Sequence, residues 1–146
     1  MRLSDNLTRS EFEHSPAAID RGINNSMTEQ HLANAIVLAK QIFEPIRKFR
    51  GKAIKVNSGY RSAHLNRSVG GSKTSQHCTG EAIDLPLTAD EFHYIKDNLE
   101  FDQLIWEFGT DLQPSWVHIS FSSSGKNRSQ VLRAKKVGKK TVYTKF

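Results

Sequence analysis

Glu81-Ala82-Ile83-Asp84-Leu85-Pro86-Leu87 sets Ile83, Leu85 and Leu87 at alternate positions against Ala82 and Asp84. That is the period of a strand with one face in a core and the other turned away from it. An aspartate in the middle of an apolar strand is costly unless it is paired or coordinates a metal. Outward from this stretch, Trp116–Phe121 repeats the pattern, with Val117, Ile119 and Phe121 against Trp116, His118 and Ser120. Phe101–Phe108 does so again, with Leu104, Trp106 and Phe108 against Gln103, Ile105 and Glu107. A shared apolar layer beneath the three strands puts Asp84, Glu107 and His118 on the opposite side of one sheet, and His77 lies seven residues before Asp84.

The remaining segments read as helices, loops and a terminal hairpin. Ser26 followed by Glu29 predicts a capping box, behind which Leu32, Ala35, Ile36, Ala39, Ile42, Phe43, Ile46 and Phe49 recur at helical spacing. Pro45 should kink this helix or end its regular part, and Gly51 is a natural stop. Ala53–Val56 is a short strand candidate. Asn57–Gly80 is a long polar loop in which Ser62–Val69 makes one or two helical turns before Gly70-Gly71. Thr88 and Glu91 predict a second capping box, opening a helix through about Leu99 with Phe92 and Ile95 inward. Leu3–Arg21 wraps the domain edge, anchored by Leu3, Leu7, Phe12 and Ile19. Val131–Lys135 and Thr141–Phe146 read as a hairpin. This order lacks the regular alternation of a parallel α/β sheet and predicts an α+β domain: a largely antiparallel sheet with helices on one face and a cleft on the other.

With 146 residues, 25% of them charged and 37% hydrophobic, the chain suits one domain over 1–146. Met1–Arg21 carries Glu11, Glu13 and Asp20 and no apolar run, so neither a signal peptide nor membrane insertion is expected. Synthesis in the cytoplasm and a monomeric state are the matching expectations. A single cysteine, Cys78, excludes an internal disulfide and argues against a thiolate-rich metal site. The net charge of +6 collects at 126–146, where Lys126, Arg128, Arg133, Lys135, Lys136, Lys139, Lys140 and Lys145 meet no acidic residue. Such a basic hairpin or tail attracts polyanions. Aromatics interleaved with its lysines are limited to Tyr143 and Phe146, so specific nucleic-acid binding is not expected.

A hydrolytic zinc site needs about three imidazole or carboxylate ligands and an open position. His77, Asp84 and His118 supply such a set. His14, His31, His64 and His93 are read as surface or capping residues. Cys78 is adjacent to His77 and so points away from it.

Three blocks in order, Ser58-Gly59-Tyr60-Arg61-Ser62, then Ser75 to Leu85 containing SxHxxGxAxD, then Trp116-Val117-His118, resemble the zinc D-alanyl-D-alanine carboxypeptidase and L-alanyl-D-glutamate endopeptidase family. Those peptidoglycan-cutting enzymes, many of them phage lysins, share a fold with the hedgehog signalling domain. The similarity spans about Leu3 to Phe121 and includes Glu44-Pro45-Ile46-Arg47, Asn66 and Gly70-Gly71-Ser72. It implies that His77, Asp84 and His118 bind Zn2+, that Arg61 holds the scissile carbonyl or a substrate carboxylate, and that Ser75 lies beside the site. Arginine suits that task because its planar fork pairs bidentately with carboxylate. Trp116 is the aromatic side chain expected near the cleft.

One position departs from the pattern. Several branches of the family place an acidic general base three residues before the last histidine, and Ser115 stands there. Glu107, already assigned to the cleft face by alternation, is the substitute. The expected protein is thus a zinc peptidase acting on a peptide stem or cross-link of peptidoglycan, of phage or prophage type. It would reach the wall after lysis, through a holin or within a virion. The rival reading is a non-catalytic wall-binding or virion structural module that keeps the fold, and Ser115 is its main support.

Overall fold

The computed structural model describes residues 1–146. The chain opens with two short paired strands, β1 (Arg2–Ser4) and β2 (Leu7–Thr8), and two short helices, α1 (Arg9–Glu13) and α2 (Pro16–Arg21). Thr8 and Glu11 form a reciprocal capping box on α1. Leu3, Leu7 and Phe12 are buried as expected, whereas Ile19 is 68% exposed and anchors nothing.

Helix α3 (Glu29–Leu38) is capped by the hydroxyl of Thr28, which accepts from the backbone N–H of His31. Ser26 is not the cap, because Met27 has to enter the core between them. The helix passes through a π segment (Ala39–Phe43) into α4 (Glu44–Arg50). A proline ring collides with the carbonyl four residues earlier, here that of Gln41, and the wider π turn just ahead of Pro45 accommodates it. Gly51, with φ of +76°, ends the helix. Glu44 does not enter the cleft. Its carboxylate accepts from Ser4 Oγ at 2.5 Å and from the Asn6 amide groups at 2.7 and 2.9 Å, clamping the β1–β2 turn onto the helix.

Ala53–Val56 forms no strand, although Ile54 is buried. The chain pairs only where Ser58 bridges Asp84, in a ladder too short to extend back. The polar region that follows contains α5 (Ala63–Ser68) and a 3-10 turn (Gln76–Thr79). Next come β3 (Ala82–Leu85), α6 (Ala89–Asn98) with the expected Thr88/Glu91 capping box, β4 (Gln103–Glu107), β5 (Trp116–Ser120), β6 (Gln130–Val137) and β7 (Lys140–Lys145).

The five later strands make one sheet in the order β3-β5-β4-β6-β7. Every pairing is antiparallel except β4 with β6, so the protein is α+β with a largely antiparallel sheet. Ile83, Leu85, Leu104, Trp106, Val117 and Ile119 share one core with Leu38, Ile42 and Ile46 of the long helical segment and with Phe92 and Ile95 of α6. The helices are tied to one another as well: Arg50 donates to both Glu91 carboxylate oxygens at 2.7 and 2.8 Å and to the Pro86 carbonyl at 2.9 Å. No helix is long and apolar enough to cross a membrane.

Candidate metal centre and cleft

Because the apolar side chains of β3, β5 and β4 are spent on the core, the alternate positions face outward together. In register, Asp84 stands opposite His118, and Glu107 opposite Trp116. His77 arrives from outside the sheet. It sits in the 3-10 turn, where Ser75 Oγ accepts from its backbone N–H at 3.3 Å and Gly80 closes the turn with φ of +77°. A side chain at Gly80 would strike the His31 carbonyl of α3, so glycine is required twice over. Gln76 reaches Asp102 at 2.9 Å and Asn34 of α3 holds the Thr79 carbonyl at 2.9 Å, which pins the turn above the sheet.

The three side chains converge. His77 Nε2 lies 3.3 Å from Asp84 Oδ2, and His118 Nδ1 lies 2.9 Å from Asp84 Oδ1. Each residue offers one ligand atom, and these atoms all lie within 4.8 Å of one another. Tetrahedral zinc with ligands at about 2.0–2.2 Å needs neighbouring ligand atoms roughly 3.3 Å apart, so the set is of the right size. The orientation of His77 suits as well. His77 Nδ1 is 2.6 Å from the Gly59 carbonyl, an oxygen that can only accept. Nδ1 therefore donates to that carbonyl, and Nε2 is the ring nitrogen turned toward Asp84 and placed to serve as a ligand. Burial works to raise the Asp84 pKa, but His77 and His118 more than offset it and hold the carboxyl well below its usual range. An ionised carboxylate between two imidazoles is the donor chemistry that a divalent cation takes up.

The cleft above these residues has a volume of about 900 Å³, and Arg61, Ser75, Glu107 and Trp116 all line it together with the three metal-capable residues. Arg61 is held by its backbone, whose N–H donates to the His77 carbonyl at 3.2 Å, while its buried Nε has no protein partner. Glu107 is only 7% exposed. Burial pushes its pKa up to about 7, with His118 lowering and Asp84 raising it. Ser115, by contrast, is exposed, and its N–H donates to the Glu107 carbonyl. The loop of Gly70-Gly71-Ser72 is wrapped on Asn66, whose amide donates to the Ser72 carbonyl at 2.7 Å. Any Cβ at Gly71 would collide with that amide.

Two features escaped the sequence reading. Phe108 was expected in the core, but its φ of +55° breaks the alternation and turns the ring into the cleft, edge-on to Trp116 at 5.3 Å. The following Gly109, with φ of +70°, was the available signal for a break. Arg128, Gln130, Leu132 and Tyr143 also line the cleft, through a parallel pairing of β6 on β4 that no local pattern announces. Cys78 takes no part: burial raises its pKa against the pull of Arg61 and Ser75, leaving a protonated thiol.

Two imidazoles and a carboxylate around one point, beside a buried glutamate with a raised pKa and an arginine with free donors, define a metal-dependent hydrolase type of site. Residues 5–120 match the Peptidase M15 family, and the chain belongs to it. It is accordingly a zinc metallopeptidase acting on a peptide substrate. No curated protein matches the chain.

Proposed function

We propose that the protein hydrolyses an amide bond in the peptide stem or cross-link of bacterial peptidoglycan, as a D,D-carboxypeptidase or L-alanyl-D-glutamate endopeptidase of phage or prophage lysin type. His77, Asp84 and His118 are the zinc ligands in this reading, on a hedgehog-like fold with the zinc cleft opposite the helices. The convergence of those three residues within 4.8 Å is the observation that carries it. Zinc held there supplies Lewis acidity toward a carbonyl and lowers the pKa of water.

The remaining chemistry falls to the chain's own side chains. Glu107, with a pKa of about 7, is suited to accept a proton from the attacking water and return it to the leaving amine at neutral pH. Its burial supports that role, because a desolvated carboxylate is a stronger base than one in water. In this reading Glu107 takes the part of the acidic residue that Ser115 replaces. Arg61 brings unpaired guanidinium donors to a carboxylate or developing oxyanion, and Ser75 and Trp116 line the peptide path. We read residues 1–146 as one such domain, with 126–146 as its basic hairpin. There Arg128 and Arg133 are paired with Asp102 and Asp111, leaving Lys135, Lys136, Lys139 and Lys140 exposed toward an anionic wall.

The test is mass spectrometry of muropeptides after digestion of purified peptidoglycan by the wild type, Glu107→Ala and His77→Ala. New amino groups from the wild type alone are the expected result. Zinc binding with no cleavage by the wild type would favour the non-catalytic module instead.

A further inference from the structure

The family match ends at residue 120, but the cleft continues past it. β6 adds to β4 in parallel with Ala134 opposite Glu107, and β7 adds to β6 with Tyr143 opposite Ala134. One row across the sheet therefore reads Trp116, Glu107, Ala134, Tyr143. Neighbours in a row share a face, so Tyr143 stands on the same side as Glu107 and lines the cleft. Between them Ala134 is fully buried, so the cleft surface there is made by the larger side chains on either side of it. Burial raises the Tyr143 pKa, and the carboxylates of Glu107 and Asp84 raise it further, as expected of a phenol within reach of their field. Tyr143 as a whole is nonetheless 53% exposed, a poor return for a residue whose purpose is packing.

Arg61 and Tyr143 occupy opposite ends of this cleft. Arg61 is held by the turn over β3, at one edge of the sheet, and Tyr143 is on β7 at the other. Four strand spacings of about 4.8 Å separate the backbones of those edges, roughly 19 Å, and both side chains reach inward from them toward the residues between. Building on the peptidase reading above, we propose that Tyr143 is a substrate-binding residue. In this role its ring and hydroxyl hold the part of the peptide that lies on the β6–β7 side of Glu107, where Leu132 also lines the cleft, so that the enzyme reads an extended stem or cross-linked peptide rather than a dipeptide.

The experiment uses the full-length zinc-loaded protein and a stem pentapeptide released from peptidoglycan. Tyr143→Ala should raise KM about ten-fold, the effect of losing one hydrogen bond and its ring contact. Tyr143→Phe should raise it by less. In both variants kcat, zinc content and thermal midpoint should match the wild type. An unchanged KM in both variants, or a loss shared with kcat, zinc content or thermal midpoint, overturns the assignment and leaves the peptidase reading intact. A wild type that releases no amino groups from any muropeptide overturns both together.

Discussion

Burial of the Glu107 carboxyl between His118 and Asp84 moves its ionisation from 4.5 to about 7, with consequences for stability and for rate. The folded, metal-free protein binds a proton there that the unfolded chain has already released, so stability falls as pH rises from about 4.5 to about 7 and stays low above that. At about 1.4 kcal/mol per pH unit, metal-free Glu107→Gln should be more stable than metal-free wild type by about 3–4 kcal/mol at pH 8 and no different near pH 4. Denaturant midpoints at the two pH values check this. For the rate, the base must be ionised, and a nearby zinc ion works against that rise and lowers the pKa. The acidic limb of kcat/KM should therefore fall at or below about pH 7, and Glu107→Gln should lose about 10²–10⁴-fold in kcat while retaining zinc. Loss of zinc in that variant would move Glu107 into the metal site instead. The residue types of this site were legible in the chain because alternation separates Asp84, Glu107 and His118 from the core side chains beside them. Phe108 was not, since a single residue at positive φ reverses a side chain without disturbing the pattern on either side of it.

At the scale of elements, the helical layer depends on one buried ion pair. Arg50 and Glu91 have side chains only 14% and 7% exposed, and Glu91 also caps α6 by accepting from the Thr88 N–H at 2.9 Å. Arg50→Ala should destabilise the protein by about 2–3 kcal/mol, because it strands a largely buried carboxylate. Replacing both partners, as in Arg50→Met with Glu91→Gln, should cost less. Thermal unfolding of the two variants distinguishes these outcomes, and equal losses would mean that packing of the arginine stem dominates. The Thr88/Glu91 cap was legible because its two residues satisfy each other locally. Ser26/Glu29 has the same spacing and failed, since burial of Met27 fixes the entry to α3 two residues later, at Thr28. Ala53–Val56 failed for a related reason: a strand needs a partner, and only Ser58 finds one.

Taken as a whole, the molecule carries its metal-capable residues on two parts that meet only in the fold: a sheet bearing Asp84 and His118, and a turn bearing His77 that is fastened to α3 and to Asp102. Zinc bound across them should stabilise the folded state by mass action. A chelator should lower the thermal midpoint and abolish peptide hydrolysis, and added zinc should restore both. A midpoint indifferent to zinc would count against a site shared by turn and sheet. The exposed lysines of the β6–β7 hairpin should retain the protein on wall fragments in a manner that weakens as salt is raised, which a cosedimentation series measures. From residue order alone came the α+β class, the placing of Asp84, Glu107 and His118 on one outward face, and the metal-capable residue types, because strand periodicity and side-chain chemistry are local properties. The tertiary structure decided that His77 folds back over that row, that Glu107 is buried enough to titrate near neutrality, and that β6 lies parallel to β4 and brings Tyr143 to the cleft. Each of these depends on contacts between segments distant in sequence, where desolvation and register are set by packing and not by the neighbours along the chain.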